Sequence, residues 1–179
     1  MGIVARLQRL ANELPRLIGY RLGPRIMSEL RKRWVLVRHP HADIRFEGPV
    51  YIGPGFSLDI PDGGTFIVGP GVEFRRNFRA EIAGDGRIVI GAGSYLTYGV
   101  LLACSTSIEI GERCGLGHCC SVFDGNHRYR DTTVPFLEQG YDFRPIRIES
   151  DAQIHSLCTI VNSIGERAQA GTQPDSRLC

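Results

Sequence analysis

The chain has 179 residues, 42% of them apolar and 22% charged, with a formal net charge of +2. That is room for one domain with an appendage, and it excludes a disordered or fibrous chain. No apolar run approaches the ~18 residues that would span a bilayer, and 22 glycines announce many turns.

Charge is unevenly spread. Residues 1–38 hold nine basic side chains and two acids, a net of +7, so the remainder carries −5. Leu7, Leu10, Leu14 and Leu17 recur at helical spacing, with Arg6, Arg9, Glu13 and Arg16 largely elsewhere on the wheel. Pro15 kinks this segment, and Gly19, Gly23 and Pro24 end it. A second short helix, roughly 25–34, would carry Ile26, Leu30 and Trp34 on one side and Arg31-Lys32-Arg33 near its C-terminus. Two roles fit residues 1–38: a helical cap whose apolar residues pack on the main domain, or a basic amphipathic segment lying on an anionic membrane surface. The stretch lacks the interleaved aromatics and any module of a nucleic-acid binder. His39 and His41, at the junction, read as surface residues.

From residue 50 the periodicity changes. Segments starting at Ile52 (I-G-P-G-F-S-L), Val68 (V-G-P-G-V-E-F), Ile90 (I-G-A-G-S-Y-L), Ile110 (I-G-E-R-C-G-L), Ile148 (I-E-S-D-A-Q-I) and Ile164 (I-G-E-R-A-Q-A) share an aliphatic residue recurring at a step of six. Ile90, Leu96, Leu102 and Ile108 keep that step, as do Ile110, Leu116 and Val122, and Ile148, Ile154 and Ile160. Six fits neither a helix nor a sustained alternation. It fits a short strand, a tight turn and another short strand, with three units closing a triangular coil of about 18 residues around a column of aliphatics. Glycine after the aliphatic residue supplies the backbone freedom of the corner. A sandwich or barrel is the competing architecture, but its strands recur at about 8–12 residues. The predicted fold is an all-β solenoid.

The repeat is broken between residues 123 and 145, a length at which a loop in a compact solenoid is usually functional. Asp124-Gly125-Asn126-His127 opens this excursion and Pro145-Ile146-Arg147-Ile148 closes it. His127 is the candidate general base, with a side chain that titrates near neutral pH; Asn126 or Asp124 could orient its ring or an acceptor hydroxyl. His118 sits at a turn position expected to face solvent. Six cysteines form no C-x-x-C, and adjacent Cys119-Cys120 suits no single zinc, so they read as reduced, mostly buried residues of a cytosolic protein, with no metal site.

Over roughly residues 44–172 these motifs resemble the hexapeptide-repeat acyltransferases, in particular the branch of maltose, galactoside and polysaccharide O-acetyltransferases. The resemblance implies a left-handed parallel β-helix over 41–172, a homotrimer, acetyl-CoA as co-substrate, and a saccharide or glycolipid hydroxyl as acceptor. It implies His127 as catalytic base, Thr97 at the acceptor, the backbone N–H of Ser156 as oxyanion donor, and a pantetheine groove along the last coils at Ala170 and Gly171. The chain departs from the family pattern in reading Gln153-Ile154-His155-Ser156 where a W-I-G segment is usual. The stretch between Ile160 and Ile164 is shorter than the family's, and 173–179 has no repeat character. A non-catalytic hexapeptide scaffold is therefore the alternative. A γ-class carbonic anhydrase would need three histidines, two close together on one coil, and His118 and His127 stand nine apart. The expected location is cytoplasmic, with membrane contact, if any, through residues 1–38.

Overall fold

The computed structural model describes residues 22–165 and 167–170. Helix α1 (Gly23–Arg38) leads into a solenoid whose strands follow in triplets. The first coil is β1 (Asp43–Phe46), β2 (Tyr51–Ile52) and β3 (Ser57–Asp59); the second is β4 (Thr65–Val68), β5 (Glu73–Phe74) and β6 (Arg79–Ile82). The third is β7 (Arg87–Ile90), β8 (Tyr95–Leu96) and β9 (Leu101–Cys104); the fourth is β10 (Ser107–Ile110), β11 (Gly115–Leu116) and β12 (Ser121–Phe123). A hairpin of β13 (Gly125–His127) and β14 (Tyr141–Phe143) intervenes before the fifth coil, β15 (Ile146–Ile148), β16 (Gln153–Ile154) and β17 (Thr159–Ile160), and β18 (Gln169–Ala170) follows. Corresponding strands stack in parallel into three faces: β1-β4-β7-β10-β15, β2-β5-β8-β11-β16-β18 and β3-β6-β9-β12-β17. The chain is a parallel β-helix, and the aliphatic ladder of the sequence is its buried column. Val68, Phe74, Ile90, Leu96, Leu102, Ile108, Leu116, Val122, Ile148 and Ile154 are all almost wholly enclosed.

The coils are not the uniform sets of three sixes that the repeat predicts. Asp43 lies opposite Thr65, Thr65 opposite Arg87, and Arg87 opposite Ser107, so the first two coils are equal, the third is shorter, and all three exceed the expected length. Ile108 pairs with Ile146 across the excursion, whereas Gln153 pairs with Gln169 after a step shorter than three sixes. The corners between the first and second faces, and between the second and third, keep the step of six. Nearly all the extra length sits where the third face returns to the first, at 60–64, 83–86 and then 124–145. Phe56, Phe66, Phe74 and Phe78 fill the first two coils, Phe56 stacking on Phe78 at 5.2 Å and Phe74 tilted against Phe78 at 4.5 Å.

The corners also correct the expected role of glycine. Positive φ falls on the third residue after each aliphatic, at Gly71, Gly93, Arg113 and Asp151 on one corner and Asn77, Gly99, Cys119 and Leu157 on the next. The residue directly after the aliphatic is glycine for a different reason, which is coil-to-coil approach. A Cβ on Gly111 would lie 2.5 Å from the Ser150 nitrogen of the next coil.

Helix α1 runs beyond the predicted 25–34 and docks through the face opposite to the expected one. Ser28 Oγ accepts from the Ile52 N–H at 2.7 Å and donates to the Val50 carbonyl at 3.3 Å, and the Arg31 guanidinium donates to the Ile52 carbonyl at 3.0 Å. Ser28 and Val35 are its buried residues, whereas Ile26, Leu30 and Trp34 are exposed. The helix does cap the first coil, but through buried Val35 and polar contacts to Val50 and Ile52 rather than by its apolar stripe. His39 is buried and not a surface residue; burial, and then the neighbouring Arg38, push its pKa down. His41 Nε2 stands 2.6 Å from the Ile60 carbonyl. Cys104, Cys114, Cys120 and Cys158 are buried and Cys119 is exposed. The first predicted helix, residues 7–17, and the tail from 173 lie outside the described residues.

Candidate active site

The excursion is fastened at its root by Asp124. This buried carboxylate accepts from the Ser105 N–H at 2.9 Å, the Thr106 N–H at 2.6 Å and the Thr106 hydroxyl at 2.8 Å, all on the corresponding corner of the coil before. The Arg144 N–H, at the far end of the excursion, donates to the Asp124 carbonyl at 2.7 Å. One residue thus ties both ends of the loop to the solenoid. Burial of Cys104, and then the Asp124 charge, push the Cys104 thiol up to about 12.

From this root β13 and β14 pair antiparallel, with Gly125 opposite Phe143 and His127 opposite Tyr141. A Cβ on Gly125 would press on the Phe143 ring at 2.7 Å, so a larger residue here would have to displace that ring. Arg128 bridges back to Asp142 at 2.7 Å. At the tip the Gln139 amide donates to the carbonyls of Asp131 and Val134, at 2.8 and 2.9 Å. Thr133 donates to the Asp131 carboxylate through both hydroxyl and N–H, which holds that carboxyl below its ordinary range.

The hairpin folds over a cavity of about 700 Å³ whose lining includes Asn126, His127, Tyr129, Arg130, Arg144 and Asn162. That is the size range of small-molecule sites. His127 contacts two aromatic rings, Tyr141 at 4.1 Å and Phe136 at 4.6 Å between centroids. Its Nδ1 is buried without a hydrogen-bond partner, and the residue lines the cavity. Asn126 is exposed on the same hairpin. Among the described residues Arg130 and Arg144, which line the same cavity as His127, have no ion-pair partner.

Asp124, Asn126 and His127 therefore come together at one cavity, Asp124 with its oxygens already committed. Thr97 and Ser156 lie elsewhere. Both occupy the corner between the second and third faces, whereas the hairpin leaves the corner between the third and the first. Thr97 Oγ1 is buried and unpaired. Ser156 Oγ accepts from the His118 N–H at 3.1 Å and approaches His118 Nδ1 at 3.4 Å, and Tyr98 lies 5.1 Å from the His118 ring. His118 is exposed, as its turn position predicts. His155 takes the place that glycine holds in the coil before, at Gly117, where a Cβ would lie 2.5 Å from the Ser156 nitrogen. Ala170 ends β18 on the second face, and Gly171 lies outside the described residues. Sequence reasoning missed Gln139, Ser105 and Thr106. Their contribution rests on contacts across the excursion and between coils, which leave no periodic trace.

Among solved structures, a hexapeptide-repeat-containing acetyltransferase from Vibrio cholerae O1 biovar eltor, crystallised with acetyl coenzyme A, is similar to this chain. The identity is 18%, the TM-score is 0.49, and the match covers 94% of this chain and 76% of that one. No family model matches the chain, and no curated protein matches it.

Proposed function

We propose that the chain is an acetyl-CoA-dependent O-acetyltransferase acting on a hydroxyl of a saccharide or glycolipid, with His127 as general base. The observation that carries this reading is the His127 imidazole on the wall of the hairpin cavity, in contact with two aromatic rings, in a cavity also lined by Arg130 and Arg144. The repeat and the loop bounded by Asn126-His127 and Pro145-Ile146 are the sequence features that support it. His127 Nε2 takes the proton of the acceptor hydroxyl as that oxygen forms a bond to the thioester carbonyl carbon. The C–S bond then breaks, and the imidazolium returns the proton to the departing thiolate. Tyr129, on the cavity wall, offers a face for a sugar ring, and Arg130 and Arg144 would favour an acceptor bearing an acidic group. Asn126, on the same cavity wall, would orient that acceptor, and Asp124 holds the loop.

The Ser156 N–H as oxyanion donor and Thr97 as acceptor contact belong to a different corner from His127, and Ala170, proposed with Gly171 as part of the CoA groove, ends a strand of the second face. A site using all of them is completed by a second copy, in a homotrimer that sets the hairpin of one chain over the corner of the next. A non-catalytic scaffold is the second reading. The short last step, from Gln153 to Gln169, and His155 on the groove corner favour it.

Calorimetry with acetyl-CoA separates the two. Micromolar to sub-millimolar binding, undiminished in His127→Ala, is expected, together with a loss of transfer of about 10²–10⁴-fold in that variant. Folded protein that takes up no acetyl-CoA at millimolar concentration would overturn the enzyme reading in favour of the scaffold.

A further inference from the structure

Helix α1 is amphipathic in the wrong direction for a cap. Its polar face, with Ser28 and Arg31, is turned to the solenoid, and its apolar face is turned away. Leu22, Ile26, Met27, Leu30, Trp34 and Val37 fall within one side of the wheel, and each is between 45% and 73% exposed. A contiguous apolar surface of this kind marks an interaction site. Arg33 lies within this face, and Arg25 and Arg38 lie toward its edges; among the described residues none of the three has an ion-pair partner. Glu29, the only acid of the helix, is neutralised by Lys32 at 2.6 Å.

We infer that this face docks on a membrane surface rich in anionic lipid. The argument is charge complementarity. The segment 1–38 carries +7 and the rest of the chain −5, so an anionic surface attracts the helix and repels the solenoid, which orients the molecule with α1 against the lipid. Apolar side chains on one face flanked by arginines, with a tryptophan among them, form the pattern of an interfacial helix. No helix among the described residues is long and apolar enough to cross a bilayer, so the contact is one of lying on the surface. The inference is independent of the catalytic reading.

Trp34 is the only tryptophan of the chain, so its fluorescence reports the patch directly. The full chain is titrated with vesicles of phosphatidylcholine and phosphatidylglycerol at 3:1, with phosphatidylcholine alone, and with brominated acyl chains. Expected are a blue shift and quenching by brominated lipid with the anionic vesicles, and at least tenfold weaker partition into neutral ones. The double variant Ile26→Ser/Leu30→Ser, and the charge variant Arg25→Glu/Arg33→Glu/Arg38→Glu, should each weaken binding tenfold or more while keeping the wild-type circular dichroism. His127→Ala should bind as wild type, so failure here and failure of the enzyme reading are separable. Trp34 emission that is already blue-shifted, shielded from iodide and unmoved by anionic vesicles would overturn the inference. Loss of that shielding on dilution would assign the patch to a second copy instead, and its loss on deletion of residues 1–21 would assign it to that segment.

Discussion

Asp124 shows how one side chain can matter to a site without contacting substrate. Its carboxylate serves three donors at the neighbouring corner, and its backbone carbonyl receives the other end of the excursion. Asp124→Asn keeps one acceptor oxygen and replaces the other by an amide that cannot accept. A loss of about 1–3 kcal/mol in denaturant unfolding is expected for the donors left unpaired. Removing the charge also removes one cause of the raised Cys104 thiol, so Cys104 should label faster in the variant with a thiol reagent at alkaline pH. Unchanged stability and unchanged labelling would show that Asp124 does not fasten the loop. In the sequence Asp124 was recognisable as the start of the excursion. Its partners, Ser105 and Thr106, were not, because they stand a full coil away and carry no spacing signal.

At the scale of the coil, the step of six made the fold legible. The buried aliphatics were identifiable one by one, from Val68 to Ile160, because each face contributes a residue to one column. Two features were not legible. The returning corner has no fixed length, so a uniform coil was the natural expectation and a set of unequal, mostly longer coils the outcome. The glycines were placed correctly but given the wrong reason, since a glycine demanded by close approach and one demanded by positive φ look the same in a sequence. Gly111 separates the two reasons, because its φ is not positive and the next coil lies against it. Gly111→Ala should destabilise the chain by about 1–3 kcal/mol through overpacking against Ser150, read as a lower urea midpoint with an unaltered slope. Gly84→Ala, at a corner with open space around it, suffers only from its positive φ, and the same measurement should show a loss of about 1–2 kcal/mol.

For α1 the sequence misled about packing. An apolar stripe at Ile26, Leu30 and Trp34 normally faces the core, and here it faces away, while the docked face meets the Ile52 N–H and the Val50 and Ile52 carbonyls with Ser28 and Arg31 and buries Val35. At the scale of the whole molecule, the proposed residues divide between two corners, His127 on one and Thr97 and Ser156 on another, and this division has a direct test. Two inactive variants, His127→Ala and Ser156→Trp, are co-expressed. If each site takes its histidine from one chain and its groove from the next, random trimers recover about a quarter of wild-type activity. If every site lies within one chain, the mixture stays inactive, since every chain then carries a defect in its own site.

The uneven coil lengths have a consequence for how such a chain can vary over time. Two corners in three are locked, because a residue gained or lost there would slip every aliphatic out of the column above and below it. The third, where the chain passes from one coil to the next, already accommodates connections as different as 60–64, 83–86, 105–106 and the whole hairpin of 124–145. Lengthening a surface loop costs little, about 0.6 kcal/mol per doubling. Residues can be added along this single seam without shifting the column, and the connections there lie side by side on one edge of the molecule. The solenoid acts as a ruled page with one open margin, and that margin is where novelty can be written without disturbing the text.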